Sequence, residues 1–525
     1  MAEKLEVERK YELPDDFTMP SMIGIADVVR VTEPDDQHLD ATYYDTAGLR
    51  LTSGRMTLRR RSGGHDAGWH LKRPSGGERS ELQVPAGDDE QAPPPRITTQ
   101  VRAVTRGEPL HPVALIRTHR VERGLQDAAG ATVALVADDT VETESLIGAR
   151  VAQRWRELEV ELVDGSPDDL TLIDEALRAA GARPSASPSK LSRALGPDHP
   201  AAAAKAAGDG GTTGPAKPGD GKRDAGRRAL VAYVTEQRDA VVAHDPQARA
   251  GDVEAVHDMR VATRRLRSTL RTFAPLLSAY EGDLDRLHDE IKWLTGLLGE
   301  VRDGDVMALR LADLLAAEPP ELVVGPVAAR VSELLAARTQ AARERLIEGL
   351  DSDRYIALLN DIDALVAAAA AGGPAGKGRM RRLARRAVRR ADRRLAAATA
   401  RPEPVTAGTP AGGTAGTDVA LHEARKAYKR ARYAAELAAP VAGTPAAKLA
   451  DRLKDLQDVL GAHQDAIVTA ELLREQGMRA FAEGENAFTY GLLHARQAEH
   501  GRVALAGLPR ARRRATRQKV RRWLW

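Results

Sequence analysis

The sequence predicts a multidomain α+β protein: an N-terminal antiparallel β-barrel, a tunnel with covering helices, joined to a C-terminal all-α domain of duplicated four-helix bundles. Three observations predict it. Over residues 1 to about 196, charged residues alternate with apolar ones at every second position, as in strands with one polar and one apolar face. From 223 to 525, apolar residues recur instead at three- and four-residue steps. Between them, 197–222 is dominated by Ala, Gly, Pro, Asp and Lys, which cannot bury a core and read as a flexible linker.

In the N-terminal segment, Glu6, Glu8 and Lys10 share a face, with Leu5 and Val7 opposite. Arg59 and Arg61 lie opposite Met56 and Leu58, and His70 and Lys72 lie opposite Trp69 and Leu71. Arg79, Glu81 and Gln83 form another polar row, and so do Glu157, Glu159 and Glu161. Strands near 114–125 and 132–141 flank a turn at 127–130, and helices are expected at 167–178 and around 97–106. Any one of these rows could be solvated. Together, acidic rows and basic rows suit a closed barrel whose lumen holds an anion and its metal.

The helical segment carries the most ordered pattern. His257, Arg260, Arg264, Arg267 and Arg271 form one cationic row on a helix, beside an apolar stripe of Met259, Ala262, Leu266, Leu270 and Phe273. The pattern returns: His422, Arg425, Lys429 and Arg432 match His257, Arg260, Arg264 and Arg267, and Leu421, Ala424, Ala431 and Ala435 match Val256, Met259, Leu266 and Leu270. The next helices repeat as well. Residues 287–299 with Asp303 are echoed by 449–461 with Asp465, which makes Lys292 and Lys454 equivalent. This is an internal duplication, with repeats at about 223–372 and 417–525. In 379–394, arginines at 381, 385, 389 and 393 and at 382, 386, 390 and 394 form two adjacent rows, which suit equally a channel wall or a solvated face. The basic stretch 510–525 reads as a final bundle helix rather than a lipid contact.

Composition narrows the function. The chain has 78 Lys+Arg against 75 Asp+Glu, so a net charge of +3 hides local segregation of charge. It has no cysteine, which excludes disulfides and thiolate metal sites. No apolar run approaches the roughly 20 residues of a membrane helix, and the first residues lack the apolar core of a signal peptide, so a cytoplasmic protein without a membrane span is expected. Aromatic residues make up 3%, too few for a base-stacking nucleic-acid platform.

Glu6-x-Glu8-x-Lys10, Leu58-Arg59-Arg60-Arg61, Leu71-Lys72, Arg79-Ser80-Glu81 and Glu157-Leu158-Glu159-Val160-Glu161, in that order, resemble the CYTH family of triphosphate tunnel metalloenzymes. The resemblance implies an eight-stranded tunnel that hydrolyses triphosphates with Mg²⁺ or Mn²⁺. Family members include inorganic triphosphatases, thiamine triphosphatases and adenylate cyclases. The chemistry of the residues agrees, because a triphosphate needs several charge-assisted donors. Arg59, Arg61, Lys72 and Arg79 can supply them, with Arg117, Arg120 and Lys190 as further candidates. The metal, a hard cation, would take Glu6, Glu8, Glu157 and Glu159, with Glu81 or Asp138 as additions. Glu6, Glu8 and Lys10 form the expected catalytic set. Gln83 stands where many relatives carry another acid, and His119 is read as structural.

The duplicated His-x-x-Arg face resembles the CHAD domain, a helical domain found fused to CYTH domains and binding inorganic polyphosphate in a basic channel. The residues carrying that resemblance here are His257, Arg260, Arg264, Arg267, Lys292, His422, Arg425, Lys429, Arg432 and Lys454. A metal-binding His-Asp site at 257–258 is disfavoured, because the second copy reads His422-Glu423. The expectation is a metal-dependent inorganic triphosphatase that also holds long-chain polyphosphate. The alternatives are a non-catalytic polyphosphate-binding protein and a CYTH enzyme acting on an organic triphosphate.

Overall fold

The computed structural model describes the chain apart from residues 1–3, 15, 76–77, 87–91, 149–150, 188, 197–223 and 401–412; the side chains of 4–6, 75, 78–79 and 413–415 are likewise outside the described residues. The expected linker 197–222 therefore lies outside them. The chain divides into two compact units, Met1–Gly214 and Pro215–Trp525.

The first unit is one antiparallel sheet. Its strands are β1 (Lys4–Glu6), β2 (Glu8–Glu12), β3 (Arg30–Val31), β4 (Asp35–Asp45), β5 (Thr57–Ser62), β6 (Gly68–Ser75), β7 (Glu78–Val84), β8 (His111–Gln126), β9 (Thr132–Ser145), β10 (Ala152–Leu162) and β11 (Arg183–Pro184). They pair in the order β1-β7-β6-β5-β4-β8-β9-β10-β2-β11, with β3 on β8. The expected barrel is corrected here, because the hydrogen-bonded path is open and, among the described residues, no ladder joins its ends. What bridges those ends is covalent. β1 pairs with β7 and β2 pairs with β10, with Val7 alone between β1 and β2 in the chain. The β8–β9 turn is held by Asp127, whose carboxylate accepts from the N–H groups of Ala129 and Ala131, and by Gly130 at φ +84.

The apolar faces of the strands are covered by helices. Leu158 and Val160 are buried under Leu170, Ile173 and Leu177 of a helix at Pro167–Ala179, whose start is closed by a capping box of Ser166 and Asp169. Leu58, Trp69 and Leu71 pack under Ile97 and Val101 of the helix Pro95–Thr105. In chain order, α1 is Arg50–Ser53, α2 is Pro95–Thr105 and α3 is Pro167–Ala179; α4, Lys190–Leu195, behaves differently. Its Leu191 and Ala194 pack on Tyr43, Ile116 and Trp155, residues of the polar side of the sheet, so α4 plugs that side.

The second unit contains α5 (Ala225–Arg249), α6 (Val253–Phe273), α7 (Leu284–Ala316), α8 (Val327–Asp351), α9 (Asp353–Ala371), α10 (Lys377–Thr399), α11 (Gly413–Ala442), α12 (Thr444–Ala482), α13 (Phe488–Ala506), α14 (Leu508–Thr516) and α15 (Gln518–Arg521). The apolar stripe of α6 is buried at Met259, Leu266, Leu270 and Phe273, and that of α11 at Leu421, Ala424, Ala431 and Ala435. Successive neighbours pack as α5–α6–α7–α8 and again as α10–α11–α12–α13, and α6 also packs on α11. The arginine-rich α10 thus takes in the second half the place of α5 in the first, so the second repeat begins at Lys377 rather than near 417. The chain end packs back on this unit, with Trp523 and Leu524 buried and Arg521 paired to Asp392 of α10.

Candidate functional sites

The polar side of the sheet encloses a cavity of about 280 Å³ lined by Glu8, Lys10, Arg59, Arg61, Lys72, Glu81, Arg120, Glu159 and Lys190, all singled out in the sequence. Strand register explains their convergence. Glu159 lies opposite Lys10 and Glu161 opposite Glu8 across β2–β10, while Glu157 lies opposite Asp139 and Asp139 opposite Arg120 across β8–β9–β10. Residues opposite one another point to the same face.

Lys190, at the first turn of α4, reaches into a nest of carboxylates: its amine is 2.6 Å from Glu157, 2.8 Å from Glu159 and 2.9 Å from Asp139. Arg120 binds Asp139 through two nitrogens at 2.8 and 2.7 Å and Glu159 at 2.7 Å, and Lys10 binds Glu159 at 2.5 Å. Burial works against every one of these charges, but mutual attraction prevails. The ammonium pKa values of Lys190 and Lys10 are raised, and the carboxyls of Glu159 and Asp139 are lowered. Across the cavity the balance differs. Burial, together with repulsion from Arg59 and Arg120, lowers Arg61 to about 10. Arg61 is paired with Asp66, and His70 is held between the Glu81 carboxylate at 2.9 Å and the Asp66 carbonyl at 2.7 Å.

Several expected residues sit elsewhere. Arg117 is on the outer face of β8, 73% exposed and 3.5 Å from Asp40, because three positions from Arg120 is an odd step along a strand. Asp138 also points away from the cavity: it lies opposite the outward Leu158 and is bound by Arg156 at 2.9 and 2.6 Å. The inward acid of that strand is its neighbour Asp139. Glu157 is buried behind the cavity, between Lys190 and the indole N–H of Trp155 at 2.6 Å. Glu6 and Arg79 are direct backbone partners on β1 and β7, with their side chains outside the described residues. His119 faces outward beside Asp36. Sequence reasoning missed Asp139, Glu122 and Asp66, placed His70 on the polar face without a role in the site, and left Glu161 out of the metal set. For Asp139 the missing information was the register that places it opposite Glu157.

The helical unit holds a larger cavity, about 760 Å³, between α6, α7, α10, α11 and α12. Eleven lysines and arginines line it against three carboxylates, Asp303, Glu423 and Asp465. Its walls repeat the duplication. Arg260 crosses Gly299 to bind Asp303 at 2.9 Å, and Arg425 crosses Gly461, whose added Cβ would lie 3.1 Å from the Arg425 guanidinium. The second acid, Asp465, is bound instead by Arg310 at 3.1 Å. Between these arms, burial and the charges of Arg264, Arg425 and Arg260 push the Lys429 ammonium down to about 6. Burial lowers His422 too, helped by Lys426 and Arg425.

Of the residues expected in this cavity, Arg260, Arg264, Arg267, His422, Arg425 and Lys429 line it. His257 does not, because the cavity begins one turn farther along α6. Arg432 is turned to Glu436 at 2.9 Å and lies over the Tyr433 ring. Lys292 is exposed, and Lys454 is 59% exposed and tied to Asp458. The arginines of α10 divide: Arg390 and Arg394 line the cavity, whereas Arg385 and Arg389 lie over the ring of Trp525.

A sheet with facing acidic and basic rows, joined in the chain to a duplicated helical unit with a cationic cavity, defines a two-domain protein with two charged cavities. Residues 4–195 match the CYTH domain family and residues 232–474 the CHAD domain family. An uncharacterized protein of Mycobacterium tuberculosis strain H37Rv is 37% identical over 512 residues, covering 95% of this chain and 94% of the relative. The chain belongs to the proteins that join a CYTH domain to a CHAD domain. Its fold is similar to PptA from Streptomyces chartreusis (23% identity, TM-score 0.44, 55% of this chain and 99% of that one) and to the CHAD domain from the plant Ricinus communis (25%, 0.42, 55% and 93%). CYTH domains belong to a family of metal-dependent enzymes that act on phosphoanhydrides. Among the described residues no helix is long and apolar enough to cross a membrane.

Proposed function

We propose that the N-terminal cavity hydrolyses inorganic triphosphate with Mg²⁺ or Mn²⁺ and that the helical cavity binds long-chain polyphosphate. The observation that carries the first half is the division of one small cavity into a basic wall, Arg59, Arg61 and Lys72, and an acidic one, Glu8, Glu122, Glu159 and Glu161, with Arg120 reaching into the space from among those acids.

The acidic wall fits a hard divalent cation. Glu8 and Glu161 are direct cross-strand partners, so two like charges sit side by side, with the Lys10 amine 3.3 Å from Glu8. Glu122, beside them, has its carboxyl pKa raised by burial and by repulsion from Asp35 and Glu161. The oxygens of Asp139, Glu157 and Glu159 also lie within 4.8 Å of one another, but the Lys190 amine already serves that trio. Glu8, Glu161 and Glu122, with Glu159 at their side, are therefore the residues that would hold the metal. A bound divalent ion neutralises phosphate charge and lowers the pKa of an attacking water.

The remaining work falls to the chain. Arg59, Arg61, Lys72 and Arg120 bind and orient the anion, and binding at Arg61 displaces Asp66 from its guanidinium. Lys190 and Lys10 fix the Glu159 carboxylate, and α4 holds Lys190 against the polar side of the sheet. Phosphate release from tripolyphosphate, ATP and thiamine triphosphate, each with and without Mg²⁺ or Mn²⁺, tests this reading. Metal-dependent release that is fastest from tripolyphosphate supports it; faster release from an organic triphosphate moves the substrate, and no release from any of them removes the catalytic reading.

A further inference from the structure

Beside the large helical cavity lies a second recess of about 420 Å³, between the end of α6 with its following turn, α10 and α11. Its charged lining is Arg271, Arg386, Arg390 and Arg430, with no carboxylate among the lining residues. Arg271, Arg390 and Arg430 also line the large cavity, so the two spaces meet at a shared wall of three guanidinium groups. The floor is apolar, formed by Leu383, Ala387 and Ala427. The rim is fixed by Arg379, which donates to the Pro275 carbonyl at 2.8 Å and ties the turn after α6 to α10.

Among the described residues no ion pair compensates this charge, a state it shares with Arg264, Arg267 and Arg425 of the large cavity. In the large cavity Arg260, Arg310 and Arg394 each have a carboxylate partner. Burial and the neighbouring Arg390, Arg394 and Arg271 depress Arg430, and Glu423 opposes them only in part. The duplication does not supply this feature symmetrically. It depends on the arginine row of α10, and α5, which holds the corresponding place in the first half, has no such row.

We propose that this recess is a second anion subsite, continuous with the large cavity, which takes the continuation of a linear polyphosphate whose inner segment occupies that cavity. This rests on the helical cavity being a polyphosphate site and adds a consequence to it: affinity depends on chain length, through Arg386 at the outer end. A short chain fills the large cavity alone. A longer chain also releases counterions at the four unpaired arginines.

The test uses the full chain in EDTA, which stops metal-dependent hydrolysis, and measures affinity for linear polyphosphates of increasing length. Arg386 is exposed on α10, so its replacement leaves the core intact. Wild-type affinity is expected to rise with length. In Arg386→Ala the rise is blunted for long chains, by roughly threefold to tenfold, the salt dependence falls by about one counterion, and short-chain affinity is unchanged. Arg386→Glu enlarges the long-chain loss. Superimposable length profiles for wild type and Arg386→Glu overturn the subsite, and so does an equal loss at every length. Wild-type chain that binds no polyphosphate of any length overturns the functional reading beneath it as well.

Discussion

Lys429 gives the helical cavity a pH dependence that can be worked out from its neighbours. Arg260 and Arg264 face it from α6, Arg425 lies one turn away on α11, and Asp465 of α12 opposes them only in part. With its ammonium at about 6, the side chain is mostly neutral at pH 7. A bound polyanion restores the charge, so binding takes up a proton, and affinity falls as pH rises above about 6. The slope is up to about tenfold per pH unit, since each unit of pKa shift is worth about 1.4 kcal/mol. The amine is only half-buried, and solvent screening reduces this to about tenfold over the whole interval from pH 6 to 8. Arginine stays charged throughout, so Lys429→Arg removes the effect while keeping a cation in place. Equilibrium binding of long-chain polyphosphate to the full chain in EDTA, at pH 6, 7 and 8, reads it directly. Ionisation of the chain ends is common to both proteins and cancels in the comparison. Wild type should lose about tenfold more affinity than Lys429→Arg across the range, and parallel profiles would refute the reasoning.

Other outcomes follow from the same geometry. Lys190→Met removes the one amine shared by Asp139, Glu157 and Glu159, leaving Arg120 and Lys10 to offset part of their charge, and should cost about 3 kcal/mol in urea melts at pH 7. Because Glu159 and Asp139 have depressed folded-state pKa values, their stabilisation is present above the ordinary carboxylate range near pH 4 and is lost as pH falls through the folded values, so the deficit of the variant should shrink in acid; a deficit constant with pH contradicts this. Arg120→Ala should weaken tripolyphosphate binding by at least about tenfold, whereas Arg117→Ala, on the outer face, should leave it unchanged. Gly461→Ala should gain up to about 1 kcal/mol of helix stability while weakening polyphosphate binding, because the new methyl group displaces the Arg425 guanidinium; thermal melts and binding assays on the same variant separate the two effects.

The strands were legible because alternation reports which residues of one strand share a face. The Glu157, Glu159, Glu161 row and the Arg59, Arg61 row could be read that way. It does not report which strand lies opposite which, so Arg117 and Asp138 were expected inside although parity places each with an outward neighbour. The ladder of β9 against β10 supplies what was missing. The six-residue helix α4 was illegible for another reason: it is too short for a periodic signal, and its entry into the polar side of the sheet depends on Tyr43, Ile116 and Trp155, all distant in sequence. In the helical half, duplication located the facing helices and the arginine arms. It does not report which residues face the cavity: the lining of α6 begins at Arg260, beyond His257, that of α12 at Gln464, beyond Lys454, and Lys292 and Arg432 stand between lining residues on other faces of their helices.

The most direct measurement is the rate of phosphate release from tripolyphosphate by the full chain and by Glu161→Gln, across a titration of Mn²⁺ or Mg²⁺. The opposed Glu8 and Glu161 carboxylates predict metal-dependent release in wild type and, in the variant, a loss of about a hundredfold that is partly recovered at high metal concentration. Release that needs no added metal, or that proceeds equally well in Glu161→Gln, would contradict a hydrolytic metal site on the acidic wall of the cavity.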